Sequence, residues 1–237
     1  MLSAEGLTSL DISRRTGIPR STIRDWRNGR TPKRETQLDC GPQHLASLDE
    51  AAYAYLLGMY LGDGCISEHA RGVYRLRITL DAAYPGIAAE CAAGIEAVAP
   101  GKRAHLLSRR DQRAVDVTSY WKHWPCLIPQ HGKGRKHLRR ITLSDWQRRI
   151  VDVHVTCFIR GLIHSDGCRI IATERKGRSI RRVTRYAFKN RSEDILALFH
   201  RACVMADVHC TRASQTQIAV YSKAAVARLD EFVGPKT

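Results

Sequence analysis

The sequence predicts an α+β protein of two similar halves joined along a pair of helices, preceded by a small all-α helix-turn-helix. Three observations carry this reading. One short phrase occurs twice, as Leu56-Leu57-Gly58-Met59-Tyr60-Leu61-Gly62-Asp63-Gly64 and as Ile159-Arg160-Gly161-Leu162-Ile163-His164-Ser165-Asp166-Gly167. Each copy reads as an apolar helix with a central Gly and an Asp-Gly end, and the two Asp residues lie 103 positions apart, room for one small α/β unit per copy. The strands and helices expected after each copy follow in the same order, and a Gly-containing turn separates two short helical stretches near the N terminus.

Composition narrows the partners. The 237 residues hold 39 Lys+Arg against 23 Asp+Glu, a formal charge of +16. That excess calls for a densely anionic partner, and nucleic acid is the commonest. The basic residues are spread through expected strands and loops, which favours a folded binding surface over a sticky arm. No long apolar run, signal peptide or basic amphipathic helix is apparent, so no membrane role and a cytoplasmic (nucleoid-associated), non-secreted protein are expected. Eight Cys are present without a C-x-x-C pair and read as reduced thiols that behave as small hydrophobes. Cys126, His131 and His137 are the nearest approach to a zinc set, but their spacing fits no common finger.

Residues 1–32 read as the helix-turn-helix. Leu10 to Thr16 forms one helix, Gly17-Ile18-Pro19 the turn, and Arg20 to Arg27 the second helix, with Ser21 as its cap. Ile12, Ile18, Ile23 and Trp26 are the expected small core. In such a motif the second helix enters the major groove, which would turn Arg20, Ser21, Thr22, Arg24 and Arg27 toward DNA. Such domains normally carry a full helix before this pair, and only Met1 to Glu5 precede Gly6, so that preceding helix reads as truncated or the true start as lying upstream. Residues 33–47, with Gly41 and Pro42, read as a linker.

The first repeat is expected over residues 48–142. A helix over 48–62 leads to a strand over 73–80, a helix over 85–98, a strand over 114–118 and a short helical piece over 119–127. The second repeat, over residues 143–237, begins with a helix over 143–165. Strands over 169–173 and 183–189 follow, then a helix over 192–205, a strand over 217–221 and a helix over 223–232. Between the repeats, Gln130 to Arg140 is a basic connector, and its Lys133, Arg135 and Lys136 are expected near a phosphate backbone.

The strand after each motif is basic on one side. Alternation places Tyr74, Leu76, Ile78 and Leu80 on one face and Val73, Arg75, Arg77 and Thr79 on the other. Tyr186 and Phe188 likewise oppose Arg185 and Lys189, and neither strand carries an acid to neutralise its basic face. Gly58 and Gly161 lack side chains, so the two motif helices can approach closely there. Two carboxylates brought together in a very basic protein suit metal-assisted chemistry on a nucleic acid.

The doubled phrase resembles the LAGLIDADG motif of homing endonucleases, in the manner of members that carry two motifs in one chain. Leu56, Gly58, Asp63 and Gly64 match in the first copy, and Gly161, Leu162, Ile163, Asp166 and Gly167 in the second. The resemblance covers roughly residues 48 to 237. It implies two pseudo-symmetric αββαββα-type repeats forming a saddle of antiparallel sheets around the central helix pair. It also implies a monomer that cuts double-stranded DNA, with Mg²⁺ (or Mn²⁺) held by Asp63 and Asp166. The sixth motif position is Leu61 in one copy and His164 in the other, where the family name has Asp. Arg160 replaces a small residue and must point away from the join. Lys122 and Lys223, each just after a strand, are the expected catalytic lysines near the scissile phosphate. His123, His137, His154 and His164 are further candidates for proton transfer. The same fold without cutting would be a DNA-binding transcription regulator; a role in RNA splicing finds no specific support.

Overall fold

The structure, a computed structural model, describes residues 7–29, 46–109, 112–176, 179–234 and 236. The chain divides into two compact units, Met1–Asp39 and Cys40–Thr237. Most of the expected linker, with Cys40, and the start of the chain lie outside the described residues.

In the first unit, α1 (Ser9–Thr16) and α2 (Arg20–Arg27) flank the three-residue turn. Thr8 and Asp11 form a reciprocal capping box at α1, and Gly17 ends that helix in the left-handed region at φ 71°. Ile12 and Ile23 are buried between the helices, whereas Trp26, expected in this core, is 44% exposed. Ser21 does not cap α2: the helix begins at Arg20, as expected, which puts Ser21 inside its first turn and Pro19 at the cap position, and no side chain caps it.

The second unit is built on two helices. Helix α3 (Glu50–Asp63) is buried from Tyr53 to Leu61, without a polar face, as expected of a helix enclosed on all sides. Its counterpart α7 (Val155–Asp166) follows α6 (Asp145–Val153). The single helix expected over 143–165 is therefore two, broken at His154 (φ −109°, ψ 43°). Each motif helix runs directly into a strand and a four-stranded antiparallel sheet.

The first sheet comprises β1 (Gly64–His69), β2 (Val73–Asp81), β3 (His105–Arg109) and β4 (Ala114–Trp121), in the order β1-β2-β4-β3. The second comprises β5 (Gly167–Lys176), β6 (Ser179–Lys189), β7 (Thr211–Ser214) and β8 (Gln217–Val220), in the matching order β5-β6-β8-β7. Helix α4 (Pro85–Val98) joins β2 to β3, α5 (Trp124–Leu127) follows β4, α8 (Glu193–Met205) joins β6 to β7, and α9 (Lys223–Val233) ends the second repeat. The fold is thus two copies of one α+β plan. Strands β1, β3 and β7 were not foreseen, and residues 119–121 extend β4 instead of forming a helix.

Leu76, Ile78 and Leu80 of β2, and Tyr186 and Phe188 of β6, are buried against the helices, while Arg75, Arg77 and Arg185 are partly exposed on the opposite face. A buried network ties the halves together around the connector. The Tyr53 hydroxyl donates to the Leu127 carbonyl (2.6 Å) and accepts from Gln147 (2.6 Å), which also accepts from Gln130 (2.6 Å). Among the described residues no helix is long and apolar enough to cross a membrane. Cys65, Cys91, Cys157, Cys168, Cys203 and Cys210 are free thiols, but Cys126 is disulfide-bonded, contrary to the expectation of eight reduced thiols.

Candidate active site and nucleic-acid interface

The seam is set by two glycines. A Cβ on Gly58 would lie 2.5 Å from the Phe158 carbonyl oxygen and 2.8 Å from the Leu162 nitrogen. A Cβ on Gly161 would overlap the Tyr55 carbonyl oxygen and meet the Gly58 Cα at 3.1 Å. Helices α3 and α7 are therefore in backbone contact, which only hydrogen side chains allow. Arg160 points away from this contact. It makes a bidentate pair with Glu90 on α4 (2.6 and 2.7 Å) and donates to the Phe232 carbonyl (2.7 Å).

Close approach carries through to the helix ends. Asp63 and Asp166 are the last residues of their helices, and a Cβ on Gly62 would lie 3.3 Å from the Asp166 carboxyl carbon. Both carboxylates sit at the negative end of a helix dipole, the unfavourable end for an anion. Burial, together with the neighbouring Asp166, pushes Asp63 up to about 7. Burial also raises Asp166, opposed first by Asn190, whose Nδ2 donates to Oδ2 at 2.6 Å. Asp63 accepts no hydrogen bond among the described residues.

Two lysines answer this concentration of negative charge. Lys136 donates from Nζ to the Tyr60 and Gly62 carbonyls at the end of α3, each at 2.6 Å. Lys236 donates to the His164 carbonyl (3.2 Å) and the Gly167 carbonyl at the end of α7. Each repeat thus ends in a lysine folded back onto its own motif helix. Burial pulls Lys136 down to about 8, against the pull of Asp166 and Asp63. Lys236 is lowered for the same reason.

Lys122 and Lys223 are elsewhere. Trp121, beside Lys122, pairs with Tyr74, whereas Gly64 pairs with Ile78, about 13 Å back along the strand. Lys223 opens α9, whose far end, at Val233, meets α7; that is about 15 Å of helix away. His164 is buried and neutral in character: its Nε2 donates to the Val233 carbonyl (2.9 Å), its Nδ1 accepts from the Tyr55 hydroxyl (3.1 Å), and burial lowers its pKa. His154 marks the break between α6 and α7, and His123 lies in the turn after β4.

Around the seam, a groove brings Asp166 together with Lys136, His137, Lys189, Asn190 and Arg191. Arg75, Arg77 and Arg185 share the open sheet faces, opposite Ser67, Cys65 and Ile170 respectively. Lys133 and Arg135 are exposed in the connector, and Arg20, Ser21, Arg24 and Arg27 on α2, with Thr22 half-buried. The open face is not free of acids: Asp116 of β4, opposite Thr79, accepts from the Thr79 hydroxyl (2.7 Å) and Arg109 (2.7 Å). Lys236, Asn190 and Asp116 had no sequence signal beyond their residue type, and Lys136 was expected at a phosphate instead of a helix end.

The donor set at the seam suits a hard divalent cation. Two desolvated carboxylates supply oxygen ligands in the number Mg²⁺ commonly takes from protein, leaving further positions for water and phosphate. Among the described residues there is no cluster of three or more His, Cys, Asp or Glu, and Cys126, His131 and His137 form none.

No protein-family model matches the chain, and no curated protein sequence matches it. Among solved structures it is similar to the N-terminal LAGLIDADG domain of DUF199/WhiA, with 13% identity, coverage of 79% of this chain and 83% of that one, and a TM-score of 0.46. It is also similar to I-DmoI in complex with DNA and Mn, at 15% identity over 79% and 99% of the two chains, with a TM-score of 0.48. For I-WcaI bound to its DNA recognition sequence the values are 12% identity, 87% and 90% coverage, and a TM-score of 0.47. These are likenesses of fold; the roles of individual residues rest on the geometry above.

Proposed function

We propose that this chain is a sequence-specific double-stranded DNA endonuclease of the homing type, acting by metal-dependent phosphodiester hydrolysis. The observation that carries the reading is the delivery of Asp63 and Asp166 to one seam by helices in backbone contact. Burying two carboxylates beside each other is costly without a cation. A bound Mg²⁺ or Mn²⁺ supplies a more acidic water as nucleophile and charge to stabilise the leaving oxygen. Asp63 and Asp166 would hold it, and Asn190 orients Asp166. Lys136 and Lys236 bring ammonium groups to the same helix ends, in reach of an incoming phosphate. Arg75, Arg77, Arg185 and Lys189 would lie against the duplex, Arg reading guanine bidentately and the rest positioning phosphates. The helix-turn-helix would lengthen the target through Arg20, Ser21, Thr22, Arg24 and Arg27.

A second reading, a DNA-binding regulator that does not cut, draws on the charge balance of the seam. The ammonium groups of Lys136 and Lys236 already oppose the rise in both carboxylate pKa values, so the negative charge of the seam is offset in part without a metal. One assay separates the two. The purified protein is incubated with a plasmid library and Mg²⁺ or Mn²⁺, beside Asp63→Asn and Asp166→Asn. Cleavage by the parent, lost in both variants with binding retained, is the expected result. Tight, salt-dependent binding with no cleavage at any bound site establishes the regulator.

A further inference from the structure

A second cavity, of about 650 Å³, opens between the edge strand β1 and the basic connector. Its volume is that of a small-ligand site. Three donors among its lining residues are buried with no hydrogen-bond partner among the described residues: Ser67 Oγ, Arg139 Nε and His131 Nδ1. Buried donors are almost always satisfied, so three together mark a place for an acceptor-rich ligand. The site is also built. Arg139 is held by a bond from Nη1 to the Gln130 carbonyl (2.9 Å), and its guanidinium lies against Gly132, where a Cβ would stand 2.5 Å from Nη1. Lys133 and Arg135 add positive charge at the rim. The other wall is aromatic, formed by Tyr74 and His131, whose rings stand edge to face at 6.1 Å. Glu68 lies at the mouth as an acceptor for hydroxyl or amino groups.

We propose that this cavity binds a nucleoside phosphate, with Arg139, Lys133, Arg135 and Ser67 on the phosphate and the wall formed by Tyr74 and His131 against the base. Guanidinium groups and a hydroxyl donate to phosphate oxygens, and ring faces stack on a base. Neither carboxylate lines the cavity, although Lys136 and Gly64 border both it and the seam, and its occupancy does not depend on the seam cutting DNA. Its ligand is either a free mononucleotide or the 5′-phosphorylated end of a DNA strand.

The test uses the full chain and titration calorimetry. The probes are dTMP, AMP, thymidine, inorganic phosphate, and a trinucleotide with either a 5′-phosphate or a 5′-hydroxyl. Saturable binding of a nucleotide is expected, weakened about tenfold by Arg139→Gln and several-fold by Lys133→Gln. Lys133 is exposed, so its variant keeps the test valid should Arg139→Gln unfold. Preference for the 5′-phosphorylated over the 5′-hydroxyl trinucleotide assigns the ligand to a strand end; tighter binding of the mononucleotide assigns it to a free nucleotide. The proposal is overturned by absence of saturable nucleotide binding below about 5 mM. Binding unchanged in both variants, or inorganic phosphate bound as tightly as dTMP, overturns it equally.

Discussion

Asn190 donates to Asp166 at 2.6 Å, and the position equivalent to Asn190 in the first repeat is Leu80, which cannot do so. The register makes the correspondence: Gly64 pairs with Ile78 and Gly167 with Phe188, so Leu80 and Asn190 each stand two residues further on. The two carboxylates are thus unequal. Asn190→Leu is expected to raise the Asp166 pKa further, through the loss of one hydrogen bond to its charged form. Carboxyl-carbon NMR titration of Asp166 measures this; an unmoved midpoint would show that the bond does not hold the ionised form.

The seam should be intolerant of added bulk. Gly58→Ala and Gly161→Ala force backbone apart and are expected to cost about 3 kcal/mol or more each, at the upper end for overpacking. Urea denaturation measures this, with Gly58→Ala and Gly161→Ala both lowering the midpoint. Losses below about 1 kcal/mol would mean the helices separate freely.

Metal-free stability should fall with pH. Asp63 ordinarily titrates at 3.8 and is pushed up to about 7 in the fold, so the folded state holds the proton more tightly. The stability from this group is fully present below about pH 4 and is lost as pH rises through about 7, amounting to a few kcal/mol in order of magnitude. Denaturation in EDTA across this range reads the slope, and Asp63→Asn should flatten most of it. Stabilisation by added Mg²⁺ should grow over the same range, because the ligand must be deprotonated.

The lysines at the helix ends should matter where those after the strands do not. Lys136→Met and Lys236→Met are expected to reduce cleavage about 10²-fold or more with DNA affinity little changed, as for loss of a donor at developing charge. Lys122→Ala and Lys223→Ala should leave the rate within about twofold, given their distance from the seam. Single-turnover cleavage decides; equal losses in both pairs would contradict the geometry.

The open sheet faces should read sequence. Arg75→Ala or Arg185→Ala is expected to relax base preference by about 1–3 kcal/mol at one position if the side chain meets a base edge. Lys189→Ala should instead weaken all sites alike and reduce the salt slope by about 0.9, the share of one phosphate. Competition binding over randomised duplexes at several salt concentrations distinguishes these outcomes.

Much of the plan was legible in the chain because it is local. Burial of α3 and α7, the glycines at their contact, the alternation in β2 and β6 and the Asp-Gly helix ends are all written in short-range patterns. Strands β1, β3 and β7 were not: all three lie at sheet edges, and of the four edge strands only β5 was legible. An edge strand makes one ladder and need not bury a full apolar face, and its partner is chosen by contacts distant in sequence. The break at His154 is equally invisible, lying within an otherwise helical pattern.

By itself the sequence determined the duplication, the two carboxylates and the excess of positive charge, all properties of residue type and spacing. Only the tertiary structure decided which cations stand at those carboxylates. Lys136 and Lys236 are separated from Asp63 and Asp166 by 73 and 70 residues, and no periodicity links positions so far apart. Chain reversal in the connector and at the C-terminal end brings each ammonium group to a helix terminus, where unpaired carbonyls and buried negative charge offset its cost of desolvation.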